Sequence, residues 1–382
     1  MDKKIVIFGA GETGVRALKK YGFDKVAFWI DNNKEKHGKQ LKGITIYSVE
    51  AALPELEKYH IVIASQAQTT MEEQLQELGL TDYEIYQTSG YYDMPEVVFN
   101  PYDDFLAPDI GNLKEDTGWR RDEINRRVAQ FKGGELFDHV EIETLNRCNG
   151  ICSFCPVNHN VDKREFKKMD KHLFKKIIDE LAEINYSGQI ALFSNNEPFL
   201  DENIIEYHAY MKEKLPNAWR YLCTNGTLLT MDLFEQVIEY LDELVIDNYN
   251  QELKLIPNAQ KILEFCEAHP EYKKKVTIIL RNPNEVLTNR GGDAPNRVGD
   301  LDDEKEGNTS CLLPFRQLII RPDGKVSLCC NDALGNCTMG DVSKESILEV
   351  WNGKAFREIR EKIRPGRKNL PKCRFCDVAL LG

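Results

Sequence analysis

Short apolar runs alternate with amphipathic stretches along most of the chain. Residues 3–8 read as a strand that runs into Gly9-Ala10-Gly11-Glu12-Thr13-Gly14. A helical stretch with Val15, Ala17 and Leu18 follows, then a second strand over 26–30 that ends at Asp31, and another over 60–65. This unit closes near residue 95. Residues 96–135 carry Pro101, Pro108 and a charged helical patch over 122–132, and read as a connector. From 139 to 281 strands and helices alternate again. Strands are predicted over 139–145, 189–193, 220–223, 243–246 and 275–281, and a helix over 171–184 places Leu173, Ile177, Ile178 and Leu181 on one face. Such alternation predicts a parallel, barrel-like sheet with its site at the C-terminal strand ends. A polar loop over 281–310 leads to a hairpin turning at Pro322-Asp323-Gly324, and a helix over 347–363 carries Trp351.

The first turn is G-x-G-x-x-G between a strand and a helix, with an acid 20 residues past its second glycine. Glycines there let a helix N-terminus approach a pyrophosphate, and the acid can bind ribose hydroxyls. The candidates are Gly9, Gly11, Gly14 and Asp31; a glycine-rich turn without a ligand gives the same pattern. The stretch Ile30-Asp31-Asn32-Asn33 resembles the small Rossmann-like domain that fronts sugar-modifying enzymes, including nucleotide-sugar acetyltransferases. That resemblance implies a nucleotide or nucleotide-sugar site.

Eleven cysteines concentrate at 148–155 and 311–376. Without a secretion signal, such clusters read as metal sites before disulfides. Cys148, Cys152 and Cys155 follow the 139–145 strand as C-x3-C-x2-C. Three thiolates on one loop can hold three corners of a 4Fe-4S cubane and leave one iron open. Zinc, with His159 as a fourth ligand, is the alternative. The spacing, with Phe154 before the last cysteine, resembles the signature of the radical S-adenosylmethionine (SAM) superfamily. That resemblance implies a partial (β/α)6 barrel, S-adenosylmethionine chelated at the open iron, and its cleavage to methionine and a 5′-deoxyadenosyl radical. Asn195-Asn196-Glu197-Pro198 stands where the family carries a Gly-Gly-Glu-like turn, and Thr224-Asn225-Gly226 resembles its third-strand turn near the nucleoside. Asn196, Glu197, Thr224 and Asn225 are therefore cofactor candidates, although an exposed turn acid or a turn-forming asparagine would look the same.

Cys311, Gly324-x4-Cys329, a tryptophan-bearing helix and Cys373-Arg374-Phe375-Cys376 resemble the SPASM extension of these enzymes, in its shorter Twitch form. This implies one auxiliary 4Fe-4S cluster on Cys311, Cys329, Cys373 and Cys376, with Cys330 and Cys337 spare and either able to replace one of the four. By itself the set also fits a zinc ribbon. The expected domains are thus 1–95, a connector over 96–135, the barrel over 136–305 and the cluster extension over 306–382.

A formal charge of −12 argues against a nucleic acid held by bulk electrostatics. No run of about 18 apolar residues occurs and the N-terminus leads straight into a strand, so neither membrane span nor signal peptide is expected, and the compartment reads as a reducing cytoplasm. Residues 354–374 hold nine Lys or Arg against two Glu. They read as a solvated helix face or as a docking patch for an acidic flavodoxin or ferredoxin. The expected reaction is hydrogen abstraction from a sugar, cyclitol or nucleotide-linked sugar, oxidising a secondary alcohol with the auxiliary cluster as electron acceptor. Asp247, at a strand end, and Arg290 are base or contact candidates; Arg297, on the same polar loop, is a further contact candidate. Peptide or protein modification, sugar epimerisation and non-catalytic electron carriage are the rival readings.

Overall fold

The computed structural model describes residues 3–86, 96–102, 110, 118–297 and 309–378. Contacts divide the chain into two compact units, one from Met1–Pro95 with Tyr102–Glu123, the other from Glu96–Pro101 with Ile124–Leu380.

The N-terminal unit runs β1 (Ile5–Phe8), α1 (Glu12–Tyr21), β2 (Val26–Ile30), β3 (Gln40–Leu41), β4 (Ile44–Tyr47), α2 (Val49–Leu56), β5 (His60–Ile63), α3 (Gln68–Glu77) and β6 (Tyr83–Ile85). Its sheet has the order β3-β4-β2-β1-β5-β6, parallel except for β3 against β4. Side chains alternate across a strand. Ile5 and Ile7 accordingly join Val15, Leu18 and Trp29 in one core, whereas Val6 and Phe8 join Val49, Leu56, Met71 and Leu75 in another. Helices therefore cover both faces, as the near-continuous apolar strands require.

The second unit starts earlier than the pattern indicates. Residues 96–101 supply β7 (Val98–Phe99), which pairs with a barrel strand, and from Ile124 onward α4 (Gly118–Gln130) also belongs to this unit. Next come β8 (His139–Ile142), α5 (Lys171–Glu183), β9 (Gln189–Ala191), α6 (Ile204–Lys214), β10 (Trp219–Thr224), α7 (Met231–Ile238), β11 (Glu243–Tyr249), α8 (Pro257–Ala268) and β12 (Val276–Arg281). The chain ends with α9 (Leu313–Arg316), β13 (Gln317–Ile320), β14 (Lys325–Ser327), β15 (Thr338–Asp341), α10 (Ile347–Trp351) and α11 (Lys354–Ile363). One nine-stranded sheet has the order β15-β14-β13-β8-β9-β10-β11-β12-β7.

The sixth barrel strand is thus β13, the first arm of the expected hairpin, which pairs parallel to β8. Helix α5 starts at Asp170, whose carboxylate accepts from the backbone N–H of His172 at 2.8 Å. It buries Phe174, Ile177, Ile178 and Leu181, so Phe174 replaces the expected Leu173 on the inner face. The expected helix over 347–363 breaks into α10 and α11 at Asn352-Gly353. A Cβ on Gly353 would stand 2.9 Å from the carbonyl oxygen of Glu349. Trp351 is buried and donates its indole N–H to the Glu135 carbonyl at 2.9 Å. Among the described residues, no helix is long and apolar enough to cross a membrane.

Candidate active site

The loop after β8 carries Cys148, Cys152 and Cys155. A Cβ on Gly150 would lie 3.5 Å from the Cys148 sulfur and 3.8 Å from the Cys152 sulfur, so the loop wraps two thiols around one bare backbone position. Burial pushes the Cys148 thiol up to about 11, with Glu197 and Cys155 adding to the shift. Burial also lifts Cys152 to about 12, and Cys155 and Cys148 repel its ionised form. The strain of ionising Cys148 and Cys152 so close together is what a cationic iron core relieves. Among the described residues, no three of His, Cys, Asp or Glu converge closely enough for a single metal ion. The corners of a cubane lie farther apart than that. His159, the fourth zinc ligand of the rival reading, faces the Cys152 carbonyl with Nε2 at 3.1 Å. The thiols fit a cluster.

The strand-end residues converge on this loop. Glu197 is 1% exposed, not the exposed turn acid that the sequence allowed. Its Oε1 accepts from the Thr224 hydroxyl at 2.7 Å and from the Phe199 N–H at 3.1 Å, and its Oε2 accepts from the Asn225 N–H at 2.9 Å. Burial raises its pKa against those three bonds. The Asn225 amide in turn donates to Asn149 Oδ1 at 2.8 Å and points at the Cys148 sulfur from 3.8 Å. Asn196 accepts from the Ser194 N–H at 3.0 Å, while its Nδ2 is buried with no protein partner. Phe154 is buried and its ring packs 5.9 Å from that of Tyr249.

Asp247 projects from β11 toward the same loop. Its Oδ1 accepts from Arg281 Nε at 3.0 Å, and its side chain stays 24% exposed. Burial raises its pKa although the Arg281 cation opposes the shift. Its charge reaches Cys152 and Glu197. Arg290 lies elsewhere. Its guanidinium donates to Asn195 Oδ1 at 2.9 Å and to the Cys330 carbonyl at 3.4 Å, linking the end of β9 to the auxiliary cysteines. Its φ of 52° is left-handed, a conformation that costs a non-glycine residue roughly 1–2 kcal/mol. Arg297 is held by Asp377 and by the Leu287 carbonyl, so it clamps the second cysteine set and is not free to reach a substrate.

Sequence reasoning missed two buried acids. Glu141 and Glu143 are 3% and 2% exposed, and each leaves one carboxylate oxygen without a partner. Glu143 Oε1 accepts from the Asn195 N–H at 2.8 Å. Burial lifts Glu143 to about 7, against the pull of Arg164. The signal was present: His139, Glu141 and Glu143 alternate with apolar Val140 and Ile142, marking a polar inner face.

The second cysteine set gathers in space. Cys329, Cys337, Cys373 and Cys376 line one pocket with Arg290 and Lys372. The ionised form of Cys329 is repelled by Cys330, Cys311, Cys376 and Cys373 on top of its burial. Cys311 is lifted by burial to about 11 and also feels Cys376. The four expected ligands are therefore mutual neighbours, and Cys337 stands on the same wall. Cys330 is turned toward Glu141 and Arg290.

In the N-terminal unit the glycines divide by cause. Gly9 has a φ of 118°, and a Cβ there would meet the Ala64 carbonyl oxygen at 2.5 Å. A Cβ on Gly14 would meet the Gly9 carbonyl oxygen at 1.9 Å. Packing explains both. Gly11 has nothing within 4 Å of its missing Cβ, so this position is open to an approaching group. Asp31 is buried, and its carboxylate is taken by the chain itself: Ala10 N–H at 2.7 Å, Asn33 N–H at 2.8 Å and Lys36 Nζ at 3.1 Å. A ribose contact would have to displace one of these.

The basic stretch is thinner than its composition. Arg360 donates to the Pro314 and Trp351 carbonyls, Arg364 to those of Val128 and Phe131, and Lys372 pairs with Asp293. Arg367 is buried. Lys354, Arg357, Lys362, Lys368 and Arg374 remain exposed.

Comparison with known proteins agrees with this layout. The radical SAM superfamily model matches residues 142–279, an iron-sulfur cluster-binding (SPASM) domain matches 311–377, and a C2185-like N-terminal domain matches 1–86. A curated S-adenosyl-L-methionine-dependent 2-deoxy-scyllo-inosamine dehydrogenase of Niallia circulans is 27% identical over 64% of this chain and 94% of its own length. The radical SAM cyclopropyl synthase TigE of Paramaledivibacter caminithermalis is 21% identical over 54% of this chain and 53% of its own. The crystal structure of BtrN in complex with AdoMet and 2-DOIA superposes with a TM-score of 0.55 at 24% identity, over 64% of this chain and 94% of that one. That likeness is one of fold. The chain thus carries a radical SAM domain and a C-terminal SPASM domain, which together imply S-adenosylmethionine and two 4Fe-4S clusters as cofactors.

Proposed function

We propose that the chain oxidises a secondary alcohol of a small sugar, cyclitol or nucleotide-linked sugar. The observation that carries this reading is the pairing of two unlike cysteine sets in one unit. Three thiols on the β8 loop leave an iron open for S-adenosylmethionine; four thiols around Cys329 close a second cluster, as an electron acceptor requires. The similarity to the Niallia dehydrogenase over nearly all of that protein's length supports the same class of substrate. When bound, these groups supply a 5′-deoxyadenosyl radical that takes a hydrogen atom from a carbinol carbon, and an acceptor for the remaining electron.

The chain's own residues do the rest. Glu197 holds Thr224 and the Asn225 backbone, so that Asn225 stays aimed at Cys148. Asn196, with its orphaned amide, and Phe154 border the same place and complete the S-adenosylmethionine contacts. Asp247, the more exposed of the raised-pKa acids, accepts the hydroxyl proton. Glu143 is too enclosed for that and supports Asn195. Arg290 holds the substrate oxygen on the side facing the auxiliary cysteines. The N-terminal unit presents Gly11 to the phosphate of a nucleotide-linked substrate, and the exposed lysines and arginines between 354 and 374 receive an acidic flavodoxin or ferredoxin.

Anaerobic reconstitution followed by incubation with S-adenosylmethionine, reductant and a panel of cyclitols, sugars and nucleotide sugars tests the reading. A carbonyl product formed with 5′-deoxyadenosine supports it. An inverted hydroxyl at constant oxidation state establishes epimerisation instead. Turnover only with a peptide replaces the substrate class.

A further inference from the structure

Arg367 is 1% exposed, although it lies in the stretch whose composition suggests a solvated basic face. Its Nε donates to the Thr309 carbonyl at 3.0 Å and its Nη1 to the Val378 carbonyl at 3.0 Å. Thr309 is two residues before Cys311 and Val378 two residues after Cys376. One guanidinium therefore ties together the two distant segments that bring these cysteines to the pocket. The fold thereby sets one buried guanidinium beside the segments that carry Cys311 and Cys376. An arginine stays protonated in proteins, and its burial leaves little solvent to screen it.

We propose that Arg367 tunes the auxiliary cluster, holding a fixed positive charge against its thiolates so that the cluster accepts an electron more readily. The inference rests on the auxiliary-cluster reading above. As the substrate becomes a carbonyl, its carbon-centred radical loses one electron and its hydroxyl loses one proton. The cluster takes that electron and becomes more negative by one unit, the state a neighbouring cation stabilises. Net charge and hydrogen bonding set the potentials of such clusters. Arg367 touches no substrate and is a positioning residue whose effect is electrostatic.

The test uses the full chain with Cys148, Cys152 and Cys155 changed to alanine, so that only the second cluster titrates. A redox titration followed by electron paramagnetic resonance compares this parent with Arg367→Gln and Arg367→Lys. The expected result is a cluster retained in Arg367→Gln with its midpoint lowered by about 59 mV or more, a tenfold change in the reduced-to-oxidised ratio. Arg367→Lys keeps most of the parent's potential, because the charge is preserved. An unchanged midpoint in Arg367→Gln overturns the proposal, as does an equal fall in both variants. If Arg367→Gln does not retain the cluster, Arg367→Lys decides. A cluster near the parent's potential supports the charge, and loss there too reduces Arg367 to a structural tie. A parent without any cluster overturns the auxiliary-cluster reading itself.

Discussion

The side-chain amide of Asn225 points at the Cys148 sulfur from 3.8 Å while its backbone N–H is held by Glu197 at 2.9 Å. A buried acid on the β9 turn thereby sets the orientation of a donor aimed at a cluster ligand. Hydrogen bonds to cluster sulfurs raise the reduction potential. Asn225→Ala is expected to keep its iron while slowing 5′-deoxyadenosine formation about tenfold, the worth of one such bond. Single-turnover assays with dithionite measure it.

On the proposed reading, the two cysteine sets serve two separate steps. Cys152→Ala is expected to abolish S-adenosylmethionine cleavage. Cys373→Ala should spare cleavage yet lose substrate oxidation, leaving 5′-deoxyadenosine uncoupled from product. Chromatography of both products in the two variants provides the check, and persistent oxidation in Cys373→Ala removes the acceptor role.

Asp247→Asn keeps the side chain's size and a hydrogen-bonding oxygen for Arg281 but removes the proton acceptor. Product formation is expected to fall by about 10²–10⁴-fold, the range for lost acid–base catalysis, with iron content unchanged. A loss of iron or of S-adenosylmethionine binding would instead assign Asp247 to the cysteine loop.

Glu143 gives a stability signature. Its folded pKa of about 7 stands above the ordinary value of 4.5. Between these values the folded protein holds a proton that the unfolded chain has released. Its contribution to stability is therefore complete below the lower value and is lost as pH rises through the window, at about 1.4 kcal/mol per unit. Glu143→Gln should flatten this dependence, as read from anaerobic urea midpoints at both ends of the window.

Much of this arrangement is legible in the sequence because it is local. The apolar runs of β1, β2 and β5, the glycine turn and the C-x3-C-x2-C spacing depend on neighbours a few residues apart. The sixth barrel strand escapes the pattern because Gln317–Ile320 also heads a Pro-Asp-Gly hairpin, and its parallel partner His139–Ile142 is far away in the chain. Val98–Phe99 is too short for periodicity to register. The basic stretch misleads for a related reason. Composition counts charges, while Arg360, Arg364 and Arg367 are directed at backbone carbonyls from segments that only folding brings near.

The central claim is that one chain holds two different iron–sulfur clusters and cleaves S-adenosylmethionine at the first. Anaerobic reconstitution with iron and sulfide counted per chain, followed by assay for 5′-deoxyadenosine, tests it most directly. The account expects about eight irons per chain together with 5′-deoxyadenosine. About four irons with 5′-deoxyadenosine would remove the auxiliary cluster, and bound zinc without 5′-deoxyadenosine would contradict the account as a whole.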